Sequence, residues 1–389
     1  MAKVDIAVIG AGPAGAAAAR RACALGLTVA LIDKATFPRN KLCGGLVTGR
    51  CAGQLKDVFG LDIDPQLFDT RRNFEFHMQG KPLGGLEDVP PLHLTMRWDF
   101  DLLLCHEAVQ AGALDYTGQR IGHLELQANR IALQSGEQID YTALIGADGV
   151  QSIVAKALFG RSFDPARVGF ALEVEAPSEG PDPTTPIRID FGAARWGYGW
   201  SFPKRGSTTI GLGGLHAPNP DMAAHLAAYL DQLGTGQDIR VKGHFLPFGE
   251  AKPRPGRGNV LLAGDAAGLV DPITGEGIGH AIASGRMAAE AAARALREGQ
   301  PGLATRYHRA ATRPIRVAIG QARMLRPLIF APRLQPFFAR TFTASRSLKR
   351  DYMRLLSGET EYPALLAQVA ARLPRAVWRH IRSRRRRHR

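Results

Sequence analysis

The chain is poor in the features that mark secreted, membrane-spanning or metal-built proteins. It has four cysteines in 389 residues, Cys23, Cys43, Cys51 and Cys105, and no two form a CxxC pair. That excludes a disulfide framework and fits a reducing compartment, so the chain is expected in the cytoplasm. No run of 18 apolar residues occurs, so nothing reads as a membrane-spanning helix. No signal peptide is expected, because Val4 to Ile9 already reads as a buried strand. His77, His93, His106, His123, His216, His225 and His244 are scattered without metal-ligand spacing, and no metal site is expected.

Acidic residues are scarce at one end. From Arg306 onward there are 21 Lys and Arg against Asp351, Glu359 and Glu361, whereas residues 1–305 carry 29 basic and 32 acidic residues. The net charge of +15 is therefore a property of the last fifth of the chain, and nine arginines fall within Arg372–Arg389. Such asymmetry points to something anionic as a partner: lipid headgroups, nucleic acid or an acidic protein. The rest is ordinary globular composition, 45% hydrophobic and 22% charged, which excludes disorder as the main state. The 44 glycines gather in short loops rather than in a repeat.

One of those loops opens the chain. The β-rich run Val4–Ile9 leads into Gly10-Ala-Gly12-Pro-Ala14-Gly15, an alanine-rich helical stretch follows, and a second strand, Thr28 to Ile32, ends at Asp33. A GxGxxG pattern alone is a weak signal, but here strand, helix, second strand and terminal acid are all in place. The glycines allow a tight turn, backbone approach to a pyrophosphate and close helix packing; the acid suits ribose hydroxyls. Dinucleotide binding is predicted, without a choice between NAD and FAD. The choice comes from Gly264-Asp265-Ala-Ala-Gly268, which follows a buried strand and leads through Pro272, Gly275, Glu276, Gly277 and Ile278 into a long alanine-rich helix. An acid at a strand end can accept from a ribityl hydroxyl, and the next helix N-terminus favours negative charge on a flavin ring.

With these motifs the chain resembles flavoproteins of the p-hydroxybenzoate hydroxylase fold, and among them the geranylgeranyl reductase family, over about residues 1–300. Ala147-Asp148-Gly149-Val-Gln-Ser152 is similar to the family's second FAD-contact segment, and Arg97-Trp-Asp-Phe100-Asp101 to the helix start whose arginine reaches the cofactor. Lys41-Leu-Cys43-Gly44-Gly45 resembles the reductases' cysteine-glycine loop, and Tyr198-Gly-Trp200-Ser-Phe202-Pro203-Lys204 their aromatic strand motif. The chain departs from the family in having Arg195 where a proline usually stands and Asp33 where Glu is commoner. The resemblance implies non-covalent FAD, with NADPH or a ferredoxin as electron donor. The contacts it implies are Gly10, Gly12, Ala14, Gly15, Asp33, Lys34, Cys43, Gly44, Gly45, Arg97, Ile121, Asp148, Asp265, Pro272, Gly275, Gly277 and Ile278. It also implies an α/β fold: a Rossmann-like FAD-binding domain (1–75, 96–165, 255–300), an interleaved, mostly β substrate domain (76–95, 166–254), a helical C-terminal region (301–371) and a basic tail (372–389).

Three features have a second reading. Cys43 is either a proton donor or cavity wall beside the flavin, or a small apolar filler. Tyr198, Trp200 and Phe202 share one face of a strand and line either a substrate channel or a plain core. The segment Met324–Phe338 reads as a helical packing element on the flavin domain, or as a membrane-dipping segment or tunnel lid.

The leading function is an FAD-dependent reductase of isolated prenyl double bonds on a pigment, quinone or lipid precursor. The alternative is a flavin monooxygenase or halogenase, although Tyr198 stands where a halogenase has the first Trp of its Trp-x-Trp motif. The third reading is a nucleic-acid binder acting through the tail, for which residues 1–305 carry no motif. For the reductase, the tail and the apolar stretch Ala364–Ile381 are expected to hold an anionic membrane peripherally, at its inner face.

Overall fold

Long apolar runs such as Ile6–Ile9 and Val29–Ile32 have no polar face, so both faces of their strands must be covered. In the structure, a computed structural model describing residues 2–178, 182, 184–236 and 239–372, they form the middle of a parallel sheet. Its spatial order is Val260–Leu262, Gln138–Gly146, Ala2–Ile9, Val29–Asp33, Leu114–Thr117, all parallel. A hairpin, Ile121–Glu125 with Arg130–Leu133, extends one edge of Gln138–Gly146. Helix Pro13–Ala24 covers one face with side chains no larger than methyl groups, Ala16 to Ala19 and Ala22, all fully buried. That lets helix Ile278–Arg297 pack directly behind it, and these two helices share the main core cluster.

A second sheet runs in the order Lys242–Leu246, Gly169–Pro177, Ser207–Leu215, Tyr198–Lys204, Ile187–Phe191, Phe74–Met78, Lys81–Leu86. It is antiparallel except where Ile187–Phe191 meets Phe74–Met78. Phe74 already pairs with Ile187, so this sheet begins two residues before the boundary read from sequence. Leu92–Leu94 belongs instead to a small sheet with Leu46–Val47 and Asp69–Arg71.

The C-terminal region is helical: Ala304–Ala311, Arg313–Phe330, Gln335–Ala344, Arg346–Ser357 and Tyr362–Arg372. The reading of Met324–Phe338 as packing on the flavin domain is corrected. Phe330, Phe338 and Phe342 close around Phe191 of the second sheet, with ring centroids 5.4–6.2 Å from it. The four aromatic rings prefer each other to the alanine-rich helices, which offer only methyl groups. Beyond Arg372 the basic tail lies outside the described residues.

Candidate active site

A cavity of about 670 Å³ lies between the two sheets. At one end its wall is the first glycine loop. Gly10 has φ +98°, and a Cβ there would lie 2.4 Å from the Ala147 carbonyl oxygen, so only glycine fits where the ends of the two parallel strands meet. Gly12 and Ala14 line the cavity, as do Lys34, Ile121 and Asp148. Asp33 is there too, its carboxylate accepting from Ala11 N and Ala35 N at 2.8 Å each. Asp148 Oδ2 accepts from Ile153 N at 2.7 Å, while Oδ1 is buried without a partner among the described residues. Burial raises the Asp148 pKa.

Two predicted contacts are not on this wall. Gly15 faces away, with its Cβ position 1.7 Å from the Gly10 carbonyl oxygen; its smallness serves helix-strand packing. Pro272 packs its ring against Gly249 rather than into the cavity.

Asp265 lines the cavity from a 3₁₀ turn, Gly264–Ala267, that follows strand Val260–Leu262, within electrostatic reach of Lys41. Burial pushes Lys41 down to about 8, with the Asp265 charge opposing the shift. The N-terminus of helix Ile278–Arg297 opens here, presenting Gly275, Glu276, Gly277 and Ile278. A Cβ at Gly275 would be 2.0 Å from the Tyr198 hydroxyl. The loop before that helix is pinned from two sides. Asp271 Oδ1 accepts from Ile273 N and Thr274 N, and the hydroxyl of Tyr362, which opens helix Tyr362–Arg372, donates to the same carboxylate at 2.7 Å.

Cys43 sits where the two halves of the cavity meet. Its loop is pressed between an aromatic ring and a backbone: a Cβ at Gly44 would lie 2.5 Å from Phe202, and one at Gly45 (φ +73°) 2.0 Å from Thr95 O. Cys43 N donates to Glu173 Oε1 at 3.0 Å, and Gly45 N donates to the thiol sulfur at 3.4 Å. Beside that sulfur is Arg97, the first residue of helix Arg97–Gln110. Its guanidinium makes a two-pronged bond to Asp101 at 2.6 and 2.8 Å, and Arg39 reaches the same carboxylate at 3.0 Å. Burial opposes the charge on Arg97, yet Asp101 and the Cys43 sulfur together hold its pKa above the ordinary value.

The far end is apolar and aromatic. Tyr198, Trp200 and Phe202 all line it from strand Tyr198–Lys204, with successive centroids 6.2 and 6.4 Å apart. Phe74, Ile189, Leu246 and Phe248 complete that wall, with Tyr352 and Leu356 one turn apart on helix Arg346–Ser357. Arg326 stacks over Phe248 at 4.3 Å and ties the C-terminal helices to it. Arg195 donates its N–H to Asn219 Oδ1 at 2.8 Å and accepts from Asn219 Nδ2 at 2.8 Å. A proline there would lack that N–H, so in this chain the turn before Tyr198 is held by Asn219 instead.

Several residues of this site went unmarked in sequence. Glu173 is 4% exposed beneath the Cys43 loop, with Oε2 unpartnered among the described residues; burial pushes it up to about 7. An acid at a core-facing position of strand Gly169–Pro177, in step with Ala171, was the available signal. Lys204 is also buried; its ammonium donates to Thr209 Oγ1 at 2.6 Å. His244 lines the cavity as a neutral ring, burial and the nearby cations lowering it to about 3.

The residues fit FAD. Glycine backbone lines the phosphate end, a buried carboxylate oxygen on Asp148 lacks a partner, and a helix N-terminus faces the ring end. Comparison with known proteins agrees. Residues 5–109 match the FAD dependent oxidoreductase family. A menaquinone reductase of Mycobacterium tuberculosis is 32% identical over 382 residues, covering 91% of this chain and 90% of that protein. A geranylgeranyl diphosphate reductase of Rhodobacter capsulatus is 31% identical over 317 residues, 77% of each chain. Among solved structures, a geranylgeranyl bacteriochlorophyll reductase-like protein of Thermoplasma acidophilum superposes at TM-score 0.76. It has 20% identity and covers 95% of this chain and 99% of that one.

Proposed function

The chain belongs to the geranylgeranyl reductase family of FAD-dependent oxidoreductases, and from that premise we propose that it adds two hydrogens across isolated double bonds of a prenyl chain. The observation that carries this reading is the continuity of the cavity from the glycine loops to the aromatic wall of Tyr198, Trp200 and Phe202. An unactivated alkene has no carbonyl to polarise, so the protein's task is to press it against the flavin and exclude water. Trp200, Phe202, Phe74 and Leu356 suit that task. When bound and reduced, FAD supplies the hydride. The proton for the second carbon is held by Cys43, and Arg97 stands beside the sulfur left negative when the thiol gives it up.

The match to the menaquinone reductase spans 91% of the chain, which it cannot do without taking in helices that contribute Tyr352 to the cavity. A prenylated quinone is therefore the first acceptor to test, ahead of a pigment or a lipid precursor. Anaerobic incubation of reduced holoenzyme with a menaquinone and with geranylgeranyl diphosphate, read by mass spectrometry, should show a gain of two hydrogens in one of them. Running it with NADPH and with a reduced ferredoxin identifies the donor. No mass gain with either acceptor, together with oxygen-dependent product formation, would replace this reading by oxygenation.

A further inference from the structure

Helices Arg313–Phe330 and Gln335–Ala344 bury one side and leave the other bare. Ile319, Ala322, Arg326 and Phe330 point into the protein, spaced three and four apart. The opposite face carries Val317 at 48% exposure, Met324 at 81% and Leu328 at 55%; Leu334, the cap of the next helix, adds 38% and Phe337 within it 62%. Both helices rest on the same aromatic cluster around Phe191, so their outer faces point away from the same place. Scattered exposed leucines need no explanation, but five large apolar groups on two adjoining helices and the cap between them do.

The charge around them says what covers them. From Arg306 to Arg350 the chain has eleven Lys and Arg and no Asp or Glu. Arg313, Arg323, Arg333 and Arg340 are exposed among the apolar side chains. A second copy of the chain would bring these cations against their own kind. Nucleic acid would satisfy the charges and leave Met324 and Leu328 in water. A surface with anionic headgroups above hydrocarbon satisfies both.

We propose that this two-helix face docks the protein on an anionic lipid bilayer, with Met324, Leu328 and Phe337 entering the interface and the arginines pairing with headgroups. The docking is independent of the alkene-reducing reading, and it adds a use to it. The inner sides of the same helices belong to the core cluster that contains Trp200, Phe202, Tyr352 and Leu356 of the cavity wall. A prenyl lipid is thereby met by the element that backs its cavity. Among the described residues no helix is long and apolar enough to cross a membrane, so contact of this kind is peripheral.

The test is flotation of full-length holoenzyme with vesicles of phosphatidylglycerol and phosphatidylcholine, and of phosphatidylcholine alone. Wild type should float with the anionic vesicles and lose them as salt rises. M324S/L328S/F337S, whose side chains are already exposed, should keep flavin content and lose at least tenfold in vesicle partition. R323Q/R333Q/R340Q should lose partition and salt dependence together. Deleting residues 372–389 separates the tail: a truncated protein that still floats, and stops floating with the serine triple, supports the face described here. Wild-type partition by the serine triple overturns the proposal. So does a dimer in sedimentation velocity, or a DNA complex, that the serine triple abolishes while flotation persists. Flotation is read without turnover, so a failure of prenyl reduction leaves the result standing on its own.

Discussion

Replacing Asp101 by asparagine tests how the Cys43 side of the cavity is held. Asp101 is fully buried and answers two guanidiniums, Arg97 through two bonds and Arg39 through one. Asparagine has nearly the same volume and keeps one accepting oxygen, but it removes the carboxylate charge that balances Arg97. Breaking a buried pair from one side costs about 3–5 kcal/mol, because the remaining ion stays desolvated. The retained acceptor places Asp101→Asn near the lower end, about 3 kcal/mol. At roughly 2 cal/mol/K per residue, unfolding this chain carries about 0.8 kcal/mol/K, so the melting temperature should fall by about 4 degrees. Arg97 lines the cavity, so the same substitution should weaken flavin binding, measured by fluorescence titration of the apoprotein. Arg39→Gln, losing one bond at a partly exposed site, should cost about 1 kcal/mol. An Asp101→Asn protein that melts within one degree of wild type and binds flavin equally well would refute the reasoning, since Arg97 would then need no buried counter-charge.

Three further outcomes follow from the cavity. Asp265→Ala should lower flavin affinity by about 1–3 kcal/mol, the worth of a charge-assisted hydrogen bond, in the same titration; an unchanged affinity removes Asp265 from the ribityl contact. Cys43→Ser and Cys43→Ala should slow prenyl reduction while flavin stays bound, and undiminished turnover in both would leave Cys43 a packing residue. Glu173 binds its proton more tightly folded than unfolded, so the stability this gives is complete below about pH 4.5 and disappears as pH rises through about 7. Glu173→Gln lacks that titration. Its melting temperature relative to wild type should therefore climb between pH 5 and pH 8, by the equivalent of about 3 kcal/mol at most; parallel pH curves would show that Glu173 does not titrate there.

The parts of the site that could be read from the chain are those whose residue identity is dictated by local backbone. Gly10 must be glycine because Ala147 lies against it, and the pattern around it recurs wherever a strand turns into a helix over a phosphate. The alternation of Tyr198, Trp200 and Phe202 likewise places three rings on one face without reference to the rest of the molecule. Glu173 was harder to read for the opposite reason: its partner, Cys43 N, is 130 residues away, and an acid in step with Ala171 marks a core-facing position without saying what it meets. Arg39 meets Asp101 across 62 positions, and Tyr352 reaches the cavity from a region whose helical pattern shows an apolar side but not what that side covers. The same limit explains the misplaced Met324–Phe338 segment. Amphipathic spacing predicts a buried face, and the choice between two sheets was made by Phe191, more than a hundred residues upstream.

The bond from Tyr362 to Asp271 also sets a clock. The loop that offers Gly275 and Gly277 to the cavity is held by Tyr362, whereas the first glycine loop is complete by residue 15. At about 5–20 residues per second, ribosomal synthesis separates the two by roughly 20 to 70 seconds. During that interval the nascent chain has a phosphate loop and no finished ring end, and its Asp271 carboxylate lacks its tyrosine. A product truncated before Tyr362 therefore leaves the ribosome without the bond that pins the loop carrying Gly275 and Gly277.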